Sequence, residues 1–221
     1  MRERFMNRSQ AGRLLAARLV DYAGRKNVRV LALPRGGVPV GFEVARALGT
    51  SLDILVTRKL SVPGQKDVVI GAIAAGDVIE INAALVQEME IPEAVLNAMI
   101  AGERQALARR EAAYRSGGTP EDLASHTVIL VDDGMQTGMT MRAAITAVRR
   151  RAAAHVVVAV PVAAEGTCQE LRTLADQVIC VSSPASLSSV WQWYAEFAQV
   201  TDEEIRDLLR QANPTMAGVA A

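Results

Sequence analysis

Val128–Thr140 reads VILVDDGMQTGMT: four apolar residues run straight into two acids, and a loop of Gly, Met, Gln, Thr, Gly, Met and Thr follows. The apolar run lacks polar alternation, as expected of a parallel strand buried on both faces. Asp132 and Asp133 then stand at its carboxyl end, where open α/β sheets bind ligands. The next residues, MRAAITAVRR, place Met141, Ile145 and Val148 on one helical face. Gly134–Thr140 is therefore a strand-to-helix loop ending at a helix N-terminus, an arrangement that favours anions. Thr137 and Thr140 add hydroxyl donors, and Gly138 permits close approach of a phosphate to the backbone.

Two carboxylates beside an anion cradle suit a ligand that carries both a phosphate and a vicinal diol. The carboxylates accept hydrogen bonds from the hydroxyls while the loop holds the phosphate. The stretch resembles the phosphoribosyl pyrophosphate motif of type I phosphoribosyltransferases: four hydrophobic residues, two acids, and a loop ending Thr-Gly-x-Thr. The resemblance implies ribose binding by Asp132 and Asp133. It implies 5′-phosphate binding by Gly134, Met135, Gln136, Thr137, Gly138, Met139 and Thr140, with Met135 and Met139 contributing backbone amides only. It also implies Mg²⁺, held largely by substrate and water, with Asp132 and Asp133 contacting the metal through water.

The bulk properties fit one α/β domain. The chain has 221 residues, half of them hydrophobic and few aromatic, so aliphatic side chains and alanine must fill the core. Formal net charge is +0, which gives no sign of a nucleic-acid or membrane surface. Cys168 and Cys180 show neither metal spacing nor a disulfide framework and read as reduced thiols of a cytoplasmic protein. MRERFMNRSQ lacks the apolar stretch of a signal peptide. A Walker-type reading of VILVDD fails because no G-x-x-x-x-G-K-[ST] occurs. A receiver domain would want its acidic pair after the first strand.

Outward from the central stretch, Ser9 reads as the N-cap of a helix reaching about Tyr22, with Leu14, Leu15 and Leu19 inward. Val28–Leu33 reads as a strand, Pro34-Arg35-Gly36-Gly37 as a loop at its carboxyl end, and Val38–Leu48 as a helix. Leu52–Val56 is the next strand, followed by Thr57-Arg58-Lys59. The turn formers of SVPGQKD mark a loop over about 60–68, a mobile lid or, alternatively, a surface hairpin loop. Val68–Ala74 and Val78–Ile81 read as paired strands. Residues 82–116 are helical, with Pro92 in a first turn and Ile91, Val95, Met99 and Ile100 as an apolar stripe. The charges from Glu103 onward, Arg104, Arg109 and Arg110 among them, read as a solvated face. The sharper alternative is that one or two of these arginines reach an anionic substrate or a neighbouring subunit. Gly117-Gly118-Thr119-Pro120 is a breaker. Arg149-Arg150-Arg151 suits a helix C-terminus. His155–Val160 is a strand stopped by Pro161, Gly166–Leu174 a helix, and Gln177–Val181 the last core strand. Alternating strands and helices predict a largely parallel sheet flanked by helices. Trp191, Trp193, Tyr194 and Phe197 gather in the tail. Thr201 and Glu204 form a capping box for a helix over Asp202–Gln211, and AGVAA at the end should fray.

The resemblance extends over most of the chain, through LPRGGVPVG, RKL…PG…IGAI and WYAEFAQVTDEEI, to a group of bacterial phosphoribosyltransferases. It implies a type I phosphoribosyltransferase-like α/β fold: one domain with a core of about 9–182, a lid loop at 60–68, a helical insertion at 82–116, and a hood-like C-terminal tail at 184–213. Arg35, Gly36, Gly37 and Lys59 would bind pyrophosphate. Lys59 and Arg58 would act in catalysis, neutralising charge that builds on the leaving group. Trp193 and Tyr194 would receive the acceptor by stacking; the alternative is that the aromatic cluster is a satellite core or dimer contact that anchors the terminal helix. The implied activity is Mg²⁺-dependent transfer of phosphoribose from phosphoribosyl pyrophosphate to a nitrogenous acceptor such as a nucleobase, with release of pyrophosphate, in a homodimer. The alternative is a non-catalytic regulator that senses the same ligand. Gln136 occupies a loop position where 6-oxopurine enzymes of this family carry Asp. Glutamine cannot take a proton, which points away from hypoxanthine or guanine salvage.

Overall fold

The apolar runs become strands of a five-stranded, all-parallel sheet in the computed structural model, which describes residues 4–114 and 122–213. Its strands are β1 (Val28–Ala32), β2 (Leu52–Ile54), β6 (Thr127–Val131), β7 (His155–Val162) and β8 (Gln177–Ser182), in spatial order β2-β1-β6-β7-β8. β1 and β6 align in register, with Leu31 opposite Leu130 and Ala32 opposite Val131. Both faces are covered, which is why these runs do not alternate with polar residues. Ile129 and Val131 join the core under helices α1 (Arg8–Ala17) and α2 (Gly37–Leu48). Val128 and Leu130 join a second core under α5 (Met139–Arg150) and α6 (Glu165–Leu171).

From β1 the chain runs to β2 on one side, while β6, β7 and β8 follow on the other. The order therefore reverses between β1 and β6, and the loops after those two strands face each other across a crevice. Such a switch point is where open α/β sheets place ligands.

A smaller antiparallel sheet stands beside this crevice. It comprises β3 (Thr57–Val62), β4 (Gln65–Ala74) and β5 (Val78–Ile81). The stretch expected as a lid loop at 60–68 is thus mostly a β-hairpin, with only Pro63 and Gly64 between the strands. Pro-Gly supplies the turn, Gly64 at φ 80°, and Leu60 and Ile70 bury their side chains, so the segment is anchored on both arms. Helices α3 (Ala83–Glu88) and α4 (Glu93–Tyr114) follow, separated at Pro92, and α7 (Asp202–Ala212) closes the described chain. No helix among the described residues is long and apolar enough to cross a membrane.

Several boundaries differ from the sequence expectation. Asn7, not Ser9, caps α1: its Oδ1 accepts from the Gln10 amide at 3.0 Å. The helix ends at Ala17, and Tyr22 is reached through a separate 3-10 turn, Val20–Tyr22. Leu14 is consequently exposed, while Ala11, Leu15 and Leu19 are buried. Gly12 allows the close crossing of α1 over α2, since a Cβ there would lie 2.8 Å from the Val40 carbonyl oxygen. On α4, Leu96 rather than Val95 packs on the core with Met99 and Ile100. β7 continues through Pro161: the β8 ladder passes from Val160–Cys180 to Val162–Ser182 and omits the residue without an N–H. Thr201 caps α7 as expected, accepting from the Glu204 amide at 3.1 Å. The 117–120 breaker, the end of the 82–116 segment and the AGVAA ending lie outside the described residues.

Candidate active site

The crevice at the switch point opens into a cleft of about 600 Å³. Leu33, Pro34, Asp132 and Thr140 line it from the sheet, Thr57–Lys59 and Ser61–Gly64 from the hairpin, and Glu103 and Arg110 from α4. Four residues expected at the site, Arg58, Lys59, Asp132 and Thr140, therefore share one wall-to-wall space although they come from three elements. Arg110, read mainly as part of a solvated face, joins them. Arg58 Nε donates to Glu103 Oε2 at 2.6 Å, so this cation is already matched by a carboxylate across the cleft. Lys59 stands exposed on the hairpin wall.

The two aspartates have different surroundings. Asp132 borders the cleft and accepts the Asp133 amide on Oδ1 at 2.8 Å. Burial, followed by the neighbouring Asp133 charge, pushes its carboxyl well above the usual carboxylate range. Asp133 turns away from the cleft. Its Oδ2 accepts from Arg8 Nε at 2.8 Å, and its carbonyl accepts the Tyr194 hydroxyl at 2.6 Å. Burial raises the Asp133 carboxyl and Arg8 opposes that shift. The Arg8 guanidinium also lies 3.8 Å from the centre of the Phe197 ring and donates to the Ala198 carbonyl. Of the two acids expected to bind ribose, Asp132 faces the cleft, whereas Asp133 is paired with an arginine.

The loop after β6 begins its helix at Met139, with Gly138 as N-cap in the left-handed region at φ 70°. Met135 is buried, and its amide donates to the Val162 carbonyl at 2.9 Å, so that N–H is not available to a phosphate. Among the described residues, no protein acceptor takes the amides of Gln136, Thr137 or Gly138. Gly134 lies against Val190, where a Cβ would come within 2.7 Å of Cγ1. From the other side, the Thr167 hydroxyl on α6 donates to the Gln136 carbonyl at 2.6 Å.

Pro34-Arg35-Gly36-Gly37 packs directly on the acids, with a cis peptide between Pro34 and Arg35. The Gly37 amide is taken by the Leu33 carbonyl, while the Arg35 and Gly36 amides meet no protein acceptor among the described residues. The Arg35 side chain departs from expectation: its Nε lies 3.1 Å from Asp202 Oδ1 at the start of α7, where Tyr114 also donates. Acidic residues suit that first turn, so α7 draws the guanidinium toward itself. Gly36 has a steric role that its sequence did not reveal. A Cβ there would fall 1.9 Å from Asp133 Oδ2. Gly36→Ala is expected to displace Asp133 from Arg8 and destabilise the protein by about 2–3 kcal/mol, read by urea denaturation. An unchanged midpoint would show that the two loops separate without penalty.

The aromatic tail supports this arrangement from beneath. Tyr194 is buried, with ring centroids 5.4 Å from Phe5 and 5.1 Å from Phe197. Burial drives its hydroxyl pKa up, consistent with a permanent donor to Asp133. Trp193 is half-buried in the same cluster, and Trp191 and Phe197 are exposed. Tyr194 therefore positions Asp133 and has no free ring face for stacking on an acceptor.

Comparison with known proteins agrees with this geometry. The phosphoribosyl transferase domain profile matches residues 3–195. The chain belongs to the phosphoribosyltransferase family. Two Mycobacterium tuberculosis proteins, from strains CDC 1551 and H37Rv, carry the provisional name phosphoribosyl transferase and are 39% identical over 217 residues. Those matches cover 98% of this chain and 49% of each relative, so the chain spans about half the length of the curated relatives it matches. The crystal structure of TT1426 from Thermus thermophilus superposes with a TM-score of 0.78 at 35% identity, covering 95% of this chain and 99% of that one. This phosphoribosyltransferase-family chain thus carries an acidic strand end and a strand-to-helix loop on the expected α/β sheet. Arg8 and Glu103 are contributors that the sequence did not place, and Tyr194 donates to the Asp133 carbonyl. An arginine in a first helix gives no local signal that it reaches a residue 125 positions away.

Proposed function

We propose that this phosphoribosyltransferase-family chain binds Mg²⁺-phosphoribosyl pyrophosphate in the 600 Å³ cleft and transfers phosphoribose to a nitrogenous acceptor, releasing pyrophosphate. The observation that carries this reading is the convergence of Asp132 and Thr140 with Arg58, Lys59 and Arg110 around one space. An acid for a diol, a loop with vacant amides and cations for a polyphosphate are three complementary parts of one ligand site.

Asp132 would accept from a ribose hydroxyl, and the amides of Gln136, Thr137 and Gly138, with the Thr137 and Thr140 hydroxyls, would hold the 5′-phosphate. The Arg35 and Gly36 amides, Lys59 and Arg58 would take pyrophosphate, with Arg58 exchanging its Glu103 partner for the incoming oxygens. A divalent cation fits the donors present. Asp132 keeps acceptor capacity beyond its single amide bond, and no cluster of three protein ligands exists among the described residues, so substrate and water would complete the shell. Mg²⁺ would supply neutralisation of the pyrophosphate charge. Lys59 and Arg110 add fixed positive charge where negative charge grows as the C1–oxygen bond breaks.

The test is calorimetric titration of Mg²⁺-phosphoribosyl pyrophosphate, followed by an acceptor screen that reads pyrophosphate release. Lys59→Ala is expected to weaken binding by about tenfold and turnover by about a hundredfold or more. The absence of wild-type binding across a range of Mg²⁺ concentrations would overturn the reading. Binding without pyrophosphate release for any nitrogenous acceptor would favour the sensing alternative.

A further inference from the structure

Cys168 and Cys180 lie twelve residues apart in sequence, and the β7–α6–β8 crossover brings their sulfurs to 3.1 Å. Cys168 is on the inward face of α6 and is 2% exposed, whereas Cys180 is half-buried on β8, an edge strand of the parallel sheet. Cys180 is therefore the more exposed residue of the pair. A third hydrogen-bonding group, the Ser183 hydroxyl, lies 3.8 Å from the Cys168 sulfur.

The helix that carries Cys168 also forms a wall of the phosphate-type loop. Thr167, its immediate neighbour, holds the Gln136 carbonyl at 2.6 Å. At Gly138 a Cβ would lie 2.8 Å from Thr167 Cγ2 and 3.5 Å from Leu171. The loop and α6 thus fit against each other with no slack, so a displacement of α6 is felt at Gln136–Gly138.

We propose that Cys168 and Cys180 are a redox-active dithiol, a modification site for low-molecular-weight disulfides, whose closure to a protein disulfide clamps α6 against the sheet and stiffens the phosphate-type loop. Cys180 attacks one sulfur of the small disulfide, a protein–small-molecule S–S bond forms, and a thiolate leaves. Cys168 then attacks the Cys180 sulfur, forming the protein disulfide and releasing the second thiolate. The protein loses two electrons and two protons, and the reagent is reduced to two thiols. The hydrogen bond between the sulfurs supports this chemistry: Cys180 pushes the Cys168 thiol down to about 6 and is itself raised by the same contact, so Cys168 is the thiolate of the pair and takes the Cys180 proton as that sulfur attacks. Closing from 3.1 Å to a bonded distance of about 2.05 Å requires only a small inward movement.

The test uses the whole chain with oxidised glutathione and needs no substrate, so its failure is separate from a failure of phosphoribosyl pyrophosphate binding. The expected wild-type product has lost both titratable thiols and two hydrogens of mass, with Cys168 and Cys180 joined in the non-reduced peptide map. Dithiothreitol should reverse it. Cys168→Ser should stop at a mixed disulfide with glutathione on Cys180, and Cys180→Ser should leave Cys168 unmodified. Amide hydrogen exchange at Gln136–Gly138 should slow by roughly threefold or more on oxidation. A wild-type protein that accumulates the mixed disulfide without closing would overturn the dithiol assignment. A closed disulfide with unchanged exchange at Gln136–Gly138 would overturn its coupling to the loop.

Discussion

Asp132→Asn is expected to weaken Mg²⁺-phosphoribosyl pyrophosphate binding by about a hundredfold while raising the melting temperature at neutral pH. Asparagine keeps the shape and can still accept the Asp133 amide, which reaches Oδ1 at 2.8 Å in the wild type. It removes a negative charge that is buried beside a second carboxylate. The sign follows from proton linkage. Burial raises the Asp132 carboxyl above its unfolded value, so the native state binds the proton more tightly than the unfolded chain does. Stability therefore falls as pH climbs from about 4 through the raised native value. The substitution removes that loss. The gain should be on the order of 1–2 kcal/mol, or about 2–6 °C, at neutral pH and vanish below about pH 4. Calorimetric melting across pH, paired with ligand titration, measures both halves. A variant that melts lower at neutral pH, or binds as tightly as wild type, would contradict the assignment of Asp132 as the ligand-facing acid.

Arg8→Met should have the opposite effect on stability, a loss of about 3 kcal/mol at neutral pH. The Arg8 and Asp133 side chains are only 11% and 14% exposed, and the guanidinium is sandwiched between this carboxylate, the Phe197 ring and the Ala198 carbonyl. Methionine preserves the hydrophobic stem but leaves Asp133 charged and buried without its closest cation. With Arg8 gone, the Asp133 carboxyl rises further, because Arg8 is the main group lowering it against burial. The native variant then takes up a proton at higher pH, and its penalty shrinks as the solution is acidified. Adding Asp133→Asn should recover much of the loss, with a coupling of about 2 kcal/mol in the double-mutant cycle. Additive single effects would mean that the pair contributes only packing. The same cycle separates Asp133's structural role from ligand binding, since neither substitution removes the Asp132 carboxylate.

Local patterns carry far where the chain's neighbours in sequence are its neighbours in space. Val128–Thr140 announced a buried strand, an acidic strand end and a helix start, and β6, Asp132 and α5 stand there. Thr201 with Glu204 announced the cap of α7 for the same reason. The hairpin at 57–74 was harder to read, because Pro63-Gly64 signals a turn equally well in a loop or between strands. What made it a hairpin is cross-strand pairing and the burial of Leu60 and Ile70.

The α/β class, the parallel strands and the residue types at the strand ends were readable from the chain alone, because twofold burial and helix periodicity are short-range patterns. Which charges meet was settled only by how the elements cross. Arg8 reaches Asp133 because the first helix lies across the sheet, Arg35 turns to Asp202 because the last helix presents an acidic first turn, and Arg58 meets Glu103 because α4 returns over the hairpin. The contact of Cys168 with Cys180 has the same origin. Each of these pairings depends on chain crossing, and a charge or a thiol carries no periodic trace of the partner it will find.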